Sequence, residues 1–186
     1  MKILLFATPI ENVSKKEASY PLGIAYIGTV LEKAGHKVNA FDFSFENWEQ
    51  LKPKIKEMII SEKPEIVGIS SMTTNRTTSF ELANLTKEID SNITVIMGGV
   101  HPTIMYEQIL KNFPVDFVVI GEGEQTALEL VDLIKKKKKK SDFETVKGIA
   151  FKTGDKIVKT EARPFIKDLD VLPIPNHLYF KNKILS

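Results

Sequence analysis

The sequence predicts an α/β protein built on a doubly wound, five-stranded parallel sheet of the Rossmann-like (flavodoxin-like) class. Five short apolar runs alternate with segments whose apolar residues recur at helical spacing, and the connections are short. Three junctions, Gly68–Thr74, Ile96–Thr103 and Val118–Thr126, pass from an apolar run through glycine or small polar residues into a helical pattern. Right-handed crossovers favour the strand order 2-1-3-4-5.

The first predicted strand is a continuous apolar run, which is typical of a strand covered on both faces, and the other strands are short and predominantly apolar. Thr8-Pro9 closes the first run, and Pro64 stops the helix that precedes the third. In chain order the predicted strands are Ile3–Ala7, Val38–Phe43, Ile66–Ser70, Ile93–Met97 and Asp116–Ile120.

The helices between these strands are predicted from apolar residues three and four positions apart. Pro21 begins the first helix, and Gly35 ends it as a left-handed cap. The fourth helix is short, about Ile104–Lys111. The apolar faces of the others are Ile24, Ile27, Leu31 and Ala34 in the first, Leu51, Ile55, Met58 and Ile59 in the second, Leu82, Leu85 and Ile89 in the third, and Ala127, Leu130, Val131 and Ile134 in the fifth.

The last quarter of the chain follows a different pattern. Val146–Phe151 and Lys156–Thr160 are short strand patterns about a Gly154-Asp155 turn, and they predict a β-hairpin. Ala162–Asn176 contains three prolines and no helical period, so we interpret it as a linker or arm. The predicted division is a Rossmann-like domain at 1–140, a hairpin extension at 141–161 and an arm at 162–186.

Composition excludes several classes of protein. The 186 residues are 42% hydrophobic and suit one globular core. The net charge is +2, and the run Lys135–Lys140 is interpreted as a solvated helix end or loop, so nucleic-acid binding is not indicated. No cysteine is present, which excludes disulfides and thiolate metal sites. Apolar runs too short for a membrane span, and a strand that begins directly after Met1-Lys2, predict a cytoplasmic protein without a signal peptide.

The candidate site lies where the glycine- and hydroxyl-rich junctions meet. Open parallel sheets bind ligands outside the carboxyl ends of their strands, at the switch point between strands one and three. Gly98-Gly99 is interpreted as backbone clearance for a ligand or another chain segment, with a plain tight turn as the alternative. The hydroxyls of Ser70, Ser71, Thr73 and Thr74 are candidates either for ligand contact or for capping the third helix.

Other residues at or near these junctions have more than one possible role. Glu122 and Glu124 begin the fifth helix, where they pair with its dipole or accept hydrogen bonds from ligand amides or hydroxyls; either role disfavours a phosphate there. His101 is expected to bond loop backbone rather than a metal, and no metal-binding set is predicted. Tyr20 and Met72 are candidates for apolar ligand contact or for the core.

Several familiar site motifs are missing. Neither GxGxxG after the first strand nor GxxxxGK[ST] occurs, which weakens a dinucleotide or triphosphate site. Strand three ends in Ser70-Ser71, where a phospho-acceptor receiver would need an aspartate. No Ser-His-Asp set is evident from spacing.

A resemblance to a known family rests on six blocks in order, which are SYPLGIAYIGTVLEKAGHKV, PEIVGISSMT, ITVIMGGVHPT, VDFVVIGEGEQTALEL, KGIAFKTGDKIVK and RPFIKDLDVLPIP. Together they resemble the N-terminal cobalamin-binding region of cobalamin-dependent radical S-adenosylmethionine enzymes, over nearly the whole chain. The resemblance implies a corrinoid on the carboxyl edge of the sheet, with its nucleotide tail entering the fold. The contacts it implies are Thr8, Pro9, Tyr20, Pro21, Leu22, Gly23, Ser70, Ser71, Met72, Thr73, Thr74, Gly98, Gly99, Val100, His101, Gly121, Glu122, Gly123 and Glu124.

Two departures from related patterns shape the expected function. The DxHxxG motif, with which methionine-synthase-type domains coordinate cobalt, has no match, and the loop Thr8–Tyr20 contains no histidine, so a base-off corrinoid without that ligand is expected. Family enzymes continue into a barrel whose CxxxCxxC motif holds an iron–sulfur cluster that acts on S-adenosylmethionine, whereas these 186 residues lack cysteine.

The expected function is therefore a cobalamin-binding module that serves methyl transfer, or another radical reaction, together with a radical S-adenosylmethionine barrel in cis or in trans. No activity is expected from this chain alone. The alternative is a non-catalytic Rossmann-like module that binds a protein or a nucleotide.

Overall fold

The computed structural model describes residues 1–10 and 20–183 as a seven-stranded sheet with helices on both faces. Positions 11–19 of the loop between the first strand and the first helix lie outside the described residues. The elements are β1 (Lys2–Ala7), α1 (Leu22–Lys33), β2 (Lys37–Asp42), α2 (Trp48–Glu62), β3 (Ile66–Ser70), α3 (Arg76–Ile89), β4 (Thr94–Gly98), α4 (Val100–Asn112), β5 (Phe117–Val119), α5 (Glu124–Lys135), β6 (Ile149–Thr153) and β7 (Lys156–Lys159).

The strand order is β2-β1-β3-β4-β5-β6-β7, which confirms the α/β class and the predicted order of the parallel strands. The predicted count of five strands was wrong: β1 to β5 pair in parallel, but β6 joins β5 antiparallel, so the hairpin extends the same sheet to seven strands. The register pairs Ala7 with Ser70 and Ser70 with Gly98. The carboxyl ends of the three central strands are therefore level.

Alternate residues of the strands supply two separate cores, one on each face of the sheet. On one face, Ile3 and Leu5 of β1 pack in a cluster with residues of α1 and α5. On the other, Leu4 and Phe6 pack with residues of α2, α3 and α4. Both faces of the central strands are thereby removed from water, which explains why β1 and β3 are almost wholly apolar.

Helix α4 differs from its prediction. It begins at Val100 rather than near Ile104, and the residue before it, Gly99, turns the chain with a φ of 108°. Met105 has non-helical angles (φ −105°, ψ 20°), so the helix has a kink at that point. The predicted start near Ile104 falls next to this kink, because the first turn contains Pro102 and shows little apolar periodicity.

The segment after β7, predicted as an arm, returns across the helices of one face. Near its start the Arg163 guanidinium forms an ion pair with Glu129 of α5, and Arg163 Nε donates to Thr126 Oγ1 at 2.7 Å. Further along, the backbone N–H of Asn176 donates to Thr29 Oγ1 of α1 at 2.8 Å. Phe180 is then buried in the core beside α1. The arm thus spans α5 and α1 and is fixed at both.

Candidate functional site

The described residues that follow β1, β3, β4 and β5 lie at the carboxyl edge of the sheet, and the structure brings all the predicted site residues to this edge. We call this edge the shelf. Its members divide into exposed side chains and buried ones, a division that spacing alone does not predict. The shelf consists of Thr8, Pro9, Tyr20–Gly23, Ser70–Thr74, Gly98–His101 and Gly121–Glu124.

Large apolar side chains lie exposed on the shelf. Tyr20 and Leu22 come from the start of α1, Met72 from the loop after β3, and Val100 from the first turn of α4. Ile104 lies exposed one helical turn beyond Val100. Apolar groups that converge at one edge of a sheet while facing water are typical of a surface that contacts a ligand or a partner.

An apolar cavity of about 200 Å³ opens from the shelf into the protein. Near the shelf it is bounded by Gly23, Gly98 and the segment Gly121–Glu124, and deeper it reaches Ile3 and Ile66 in the strands. Its side walls are the facing surfaces of α1 and α5, which supply Ile24, Ile27, Leu31, Ala127 and Val131. The cavity therefore lies between the sheet and the α1–α5 layer.

Glycines keep this cavity open. A Cβ on Gly68 would lie 2.5 Å from Leu5 Cδ2, and one on Gly123 would lie 2.9 Å from Ile27 Cδ1. At Gly98 a Cβ would meet Val119 Cβ at an ordinary 3.6 Å, so a side chain there fits the protein and occupies the cavity.

Gly99 has a different role from its neighbour. A Cβ on Gly99 would lie 2.5 Å from the backbone oxygen of Ser71, and its φ of 108° is one that other residues rarely adopt. The absence of a side chain therefore makes room for the backbone of Ser71 at Gly99 and for the cavity at Gly98.

A buried polar network holds two shelf loops together beneath the surface. The Asn75 side chain donates to the Thr8 backbone oxygen at 3.2 Å and accepts from the Met72 N–H at 2.6 Å. The Thr8 hydroxyl lies 2.8 Å from Ser79 Oγ, and Thr78 Oγ1 donates to the Pro9 oxygen at 3.0 Å. Thr8 is fully buried, so its hydroxyl belongs to this network and does not face the shelf.

Asn75, Thr78 and Ser79 were absent from the predicted site. A signal for them exists in the sequence, because small polar residues occupy the inward-facing positions at the start of α3, where apolar residues are the norm. Without the position of Thr8 across the sheet, these residues are indistinguishable from ordinary helix-capping residues.

The two carboxylates of the β5–α5 junction have different surroundings. Glu122 Oε2 accepts a hydrogen bond of 2.7 Å from the backbone N–H of Ile166 in the arm. Glu124 also lines the cavity, but its Oε2 atom is buried and has no hydrogen-bond partner within residues 1–10 and 20–183. The two residues therefore differ: Glu122 is bonded to the arm, whereas Glu124 keeps an oxygen that is free to accept a hydrogen bond from a ligand.

His101 is not exposed on the shelf. Its ring is buried, with Nδ1 3.4 Å from the Thr73 hydroxyl and the ring centroid 6.0 Å from that of Phe80. The sequence predicts a hydrogen bond from the His101 ring to loop backbone, whereas the structure places the ring beside a hydroxyl.

No group of three potential metal-ligating side chains occurs in the described part of the chain. No helix there is long and apolar enough to cross a membrane.

Stability is expected to fall in mild acid because two histidines are buried. Burial, with the Arg76 guanidinium, lowers the pKa of His101 below 6.5, and burial, with the N-terminal ammonium, lowers that of His36. The unfolded chain therefore binds protons more readily than the folded protein. The contribution of the two histidines to the free energy of unfolding is complete above about pH 7, and it decreases as the pH falls below about 6.5, the pKa of histidine in the unfolded chain. Urea titrations from about pH 7 to 5 measure this slope. The variant with His36→Gln and His101→Gln should show a shallower slope, and an unchanged slope would contradict the assignment.

Comparisons with known proteins identify the family of this chain. The family model described as "B12 binding domain" matches residues 13–131. An uncharacterized methyltransferase of Pyrococcus horikoshii is 33% identical over 181 residues, which are 95% of this chain and 38% of the relative. The anaerobic magnesium-protoporphyrin IX monomethyl ester cyclase of Rubrivivax gelatinosus is 35% identical over 152 residues, covering 81% of this chain and 27% of the cyclase. The chain thus spans well under half the length of these relatives.

Two solved structures share the fold. The radical S-adenosylmethionine methyltransferase TsrM from Kitasatospora setae, with cobalamin and a [4Fe-4S] cluster bound, superimposes with a TM-score of 0.71 at 20% identity over 88% of this chain and 31% of its own. The cobalamin-dependent S-adenosylmethionine radical enzyme OxsB, with aqua-cobalamin and S-adenosylmethionine bound, gives 0.72 at 20% identity over 94% of this chain and 24% of its own. Because the family model matches more than half of the chain, this chain belongs to the B12-binding domain family.

Proposed function

We propose that this domain holds a base-off corrinoid flat on the shelf, with the nucleotide tail of the cofactor in the cavity between the sheet and the α1–α5 layer. The observation that carries the proposal is the connection between the two features. A broad edge with exposed apolar side chains leads directly into a deep apolar cavity. A cobalamin in the base-off form has this same division into a wide ring and a detached aromatic base.

The residues of the site fit such a group. Cavities of roughly 150 Å³ bind benzene, so one of about 200 Å³ suits a bicyclic aromatic base. Tyr20, Leu22, Met72 and Val100 offer apolar contact to the face of a corrin ring. Exposed Thr73 and Thr74 offer hydroxyls to the amide side chains at its rim. Cobalt supplies the reactivity, and the chain's share is binding and orientation.

No histidine is proposed as a cobalt ligand. The loop between β1 and α1 contains none, and the ring of His101 is buried beside Thr73 and Phe80. His36 lies at the opposite, amino edge, where its Nδ1 is 3.4 Å from the Met1 nitrogen. These positions support a base-off corrinoid without a protein nitrogen on its lower face.

The arm is proposed to face a radical S-adenosylmethionine barrel, supplied in cis or in trans, that carries out methyl transfer or a related radical reaction. Its side chains between the two anchors include an exposed apolar row, Phe165, Leu169, Val171 and Ile174. Exposed apolar rows of this kind mark surfaces that become covered by a partner. The greater length of the relatives supports a partner domain, and the absence of cysteine from these 186 residues means that a cluster would be held outside them.

The proposal is tested by loading the purified domain with hydroxocobalamin, desalting it, and recording the visible spectrum. Stoichiometric retention of the corrinoid is expected, with an equal amount of an unrelated protein as the control. After reduction to cob(II)alamin, the electron paramagnetic resonance spectrum should lack nitrogen superhyperfine splitting. Complete loss of colour on desalting would favour a Rossmann-like protein- or nucleotide-binding module, and a three-line nitrogen pattern would overturn the proposed ligand-free lower face.

A further inference from the structure

We propose that the Glu124 carboxylate is a specificity-determining group that accepts a hydrogen bond from a ribose hydroxyl in the nucleotide tail. This inference rests on the proposed function and assigns one contact within it. It predicts that the domain distinguishes complete cobalamin from a corrinoid without the nucleotide.

Glu124 lies at the junction between the shelf and the cavity. It is the first residue of α5 and lines the cavity close to its opening, beside Gly121 and Gly123. The deeper walls of the cavity are apolar, with Ile24 and Ile27 on one side and Ala127 and Val131 on the other. A ligand that fills this cavity meets apolar surface at depth and a carboxylate near the shelf.

One carboxylate oxygen of Glu124 lacks a donor within residues 1–10 and 20–183. Oε2 is buried and has no hydrogen-bond partner in the described part of the chain. Other carboxylates of the same helix and junction have partners, since Glu122 accepts from Ile166 and Glu129 from Arg163. A buried carboxylate oxygen without a donor is costly in an apolar setting, so it marks a place where a ligand supplies the donor.

The chemistry of a carboxylate restricts that donor. An ionised carboxylate only accepts hydrogen bonds, so it favours a hydroxyl or N–H and repels a phosphate. The nucleotide tail of cobalamin has an aromatic base, then a ribose with free hydroxyls, then a phosphate nearer the ring. A base that fills the apolar depth places the ribose, and not the phosphate, in the part of the cavity that contains Glu124.

The test compares the affinities of cobalamin and dicyanocobinamide, which has the corrin ring and its amides but lacks the nucleotide. Glu124→Leu should weaken cobalamin binding by about tenfold or more, the effect of losing one hydrogen bond to a charged group, and change cobinamide binding less than about twofold. Glu124→Gln keeps an acceptor oxygen and should recover most of the lost affinity. Gln125→Leu, at the exposed next position, is the matched control and should leave both affinities unchanged.

Thermal melting of the cofactor-free proteins separates a ligand-binding role from a structural one. Leucine removes the unpartnered carboxylate, so the midpoint of Glu124→Leu should equal or exceed that of the parent protein. A lower midpoint with equal losses for both corrinoids would assign Glu124 to helix stability and overturn the inference, as would unchanged cobalamin affinity. If the parent protein binds neither corrinoid, the proposed function itself fails, a result distinct from binding without discrimination by Glu124.

Discussion

Gly98→Leu is expected to abolish cobalamin retention without lowering the thermal midpoint of the domain. A Cβ at this position meets only Val119 at an ordinary distance, and the rest of the side chain enters the cavity. Burying about 100 Å² of a ligand's apolar surface contributes roughly 2–3 kcal/mol, so exclusion of the base weakens binding by about 100-fold. The added leucine buries apolar surface of its own, which offsets any local strain.

Equilibrium binding of cobalamin and a melting curve on the same sample check this expectation. Gly98→Ala is the graded control, because one methyl group fills little of the cavity and should weaken binding only slightly. Gly99→Ala is the contrasting variant, since the Ser71 backbone oxygen and the positive φ make it strained by about 1–3 kcal/mol. It should lose stability and retention together. If Gly98→Leu lowered the thermal midpoint and cobalamin retention together, Gly98 would have a structural role like that of Gly99 and no separate role in the cavity.

Asn75→Ala is expected to lower the free energy of unfolding by about 2–4 kcal/mol, because one buried and one partly buried backbone group lose their partners at once. These are the N–H of Met72 and the carbonyl of Thr8, on two different shelf loops. Since both loops flank the shelf, cobalamin affinity should fall in the same variant. Urea unfolding at neutral pH measures the first effect, and titration with hydroxocobalamin measures the second.

Thr77→Ala is the matched control for Asn75→Ala. Thr77 lies two residues away in α3 and is exposed, so its loss should change the free energy of unfolding by less than about 0.5 kcal/mol. Similar destabilisation in the two variants would mean that the network beneath the shelf contributes nothing beyond helix propensity. Destabilisation at Asn75 with unchanged affinity would separate the network from the ligand site.

Much of the architecture was predictable because the strands are buried on both faces. Ile66–Ser70 was predicted residue for residue, and the parallel order followed from the handedness of the connections. The edge that holds the candidate site followed from topology alone, since all parallel strands end on the same side.

Side-chain direction was not predictable in the same way. Thr8 and His101 belong to the edge by position, yet their side chains are buried among polar or aromatic neighbours that come from distant segments. The return of the arm was also missed. Its contacts with α1 involve single residues such as Asn176 and Phe180, which create no periodic pattern, and the prolines ahead of them indicate only an irregular chain.

The contact between the arm and α1 also has a consequence for the order of folding. Asn176 and Thr29 are separated by 147 positions, and Phe180, which follows Asn176 closely in the chain, packs in the same core as residues of α1. During synthesis, α1 and the strands emerge long before this segment, so that side of the domain must wait with its apolar surface uncovered. Completion of the domain is thus coupled to the emergence of residues 176–180 from the ribosome, and ribosome-bound chains shortened before Asn176 should remain sensitive to protease near α1.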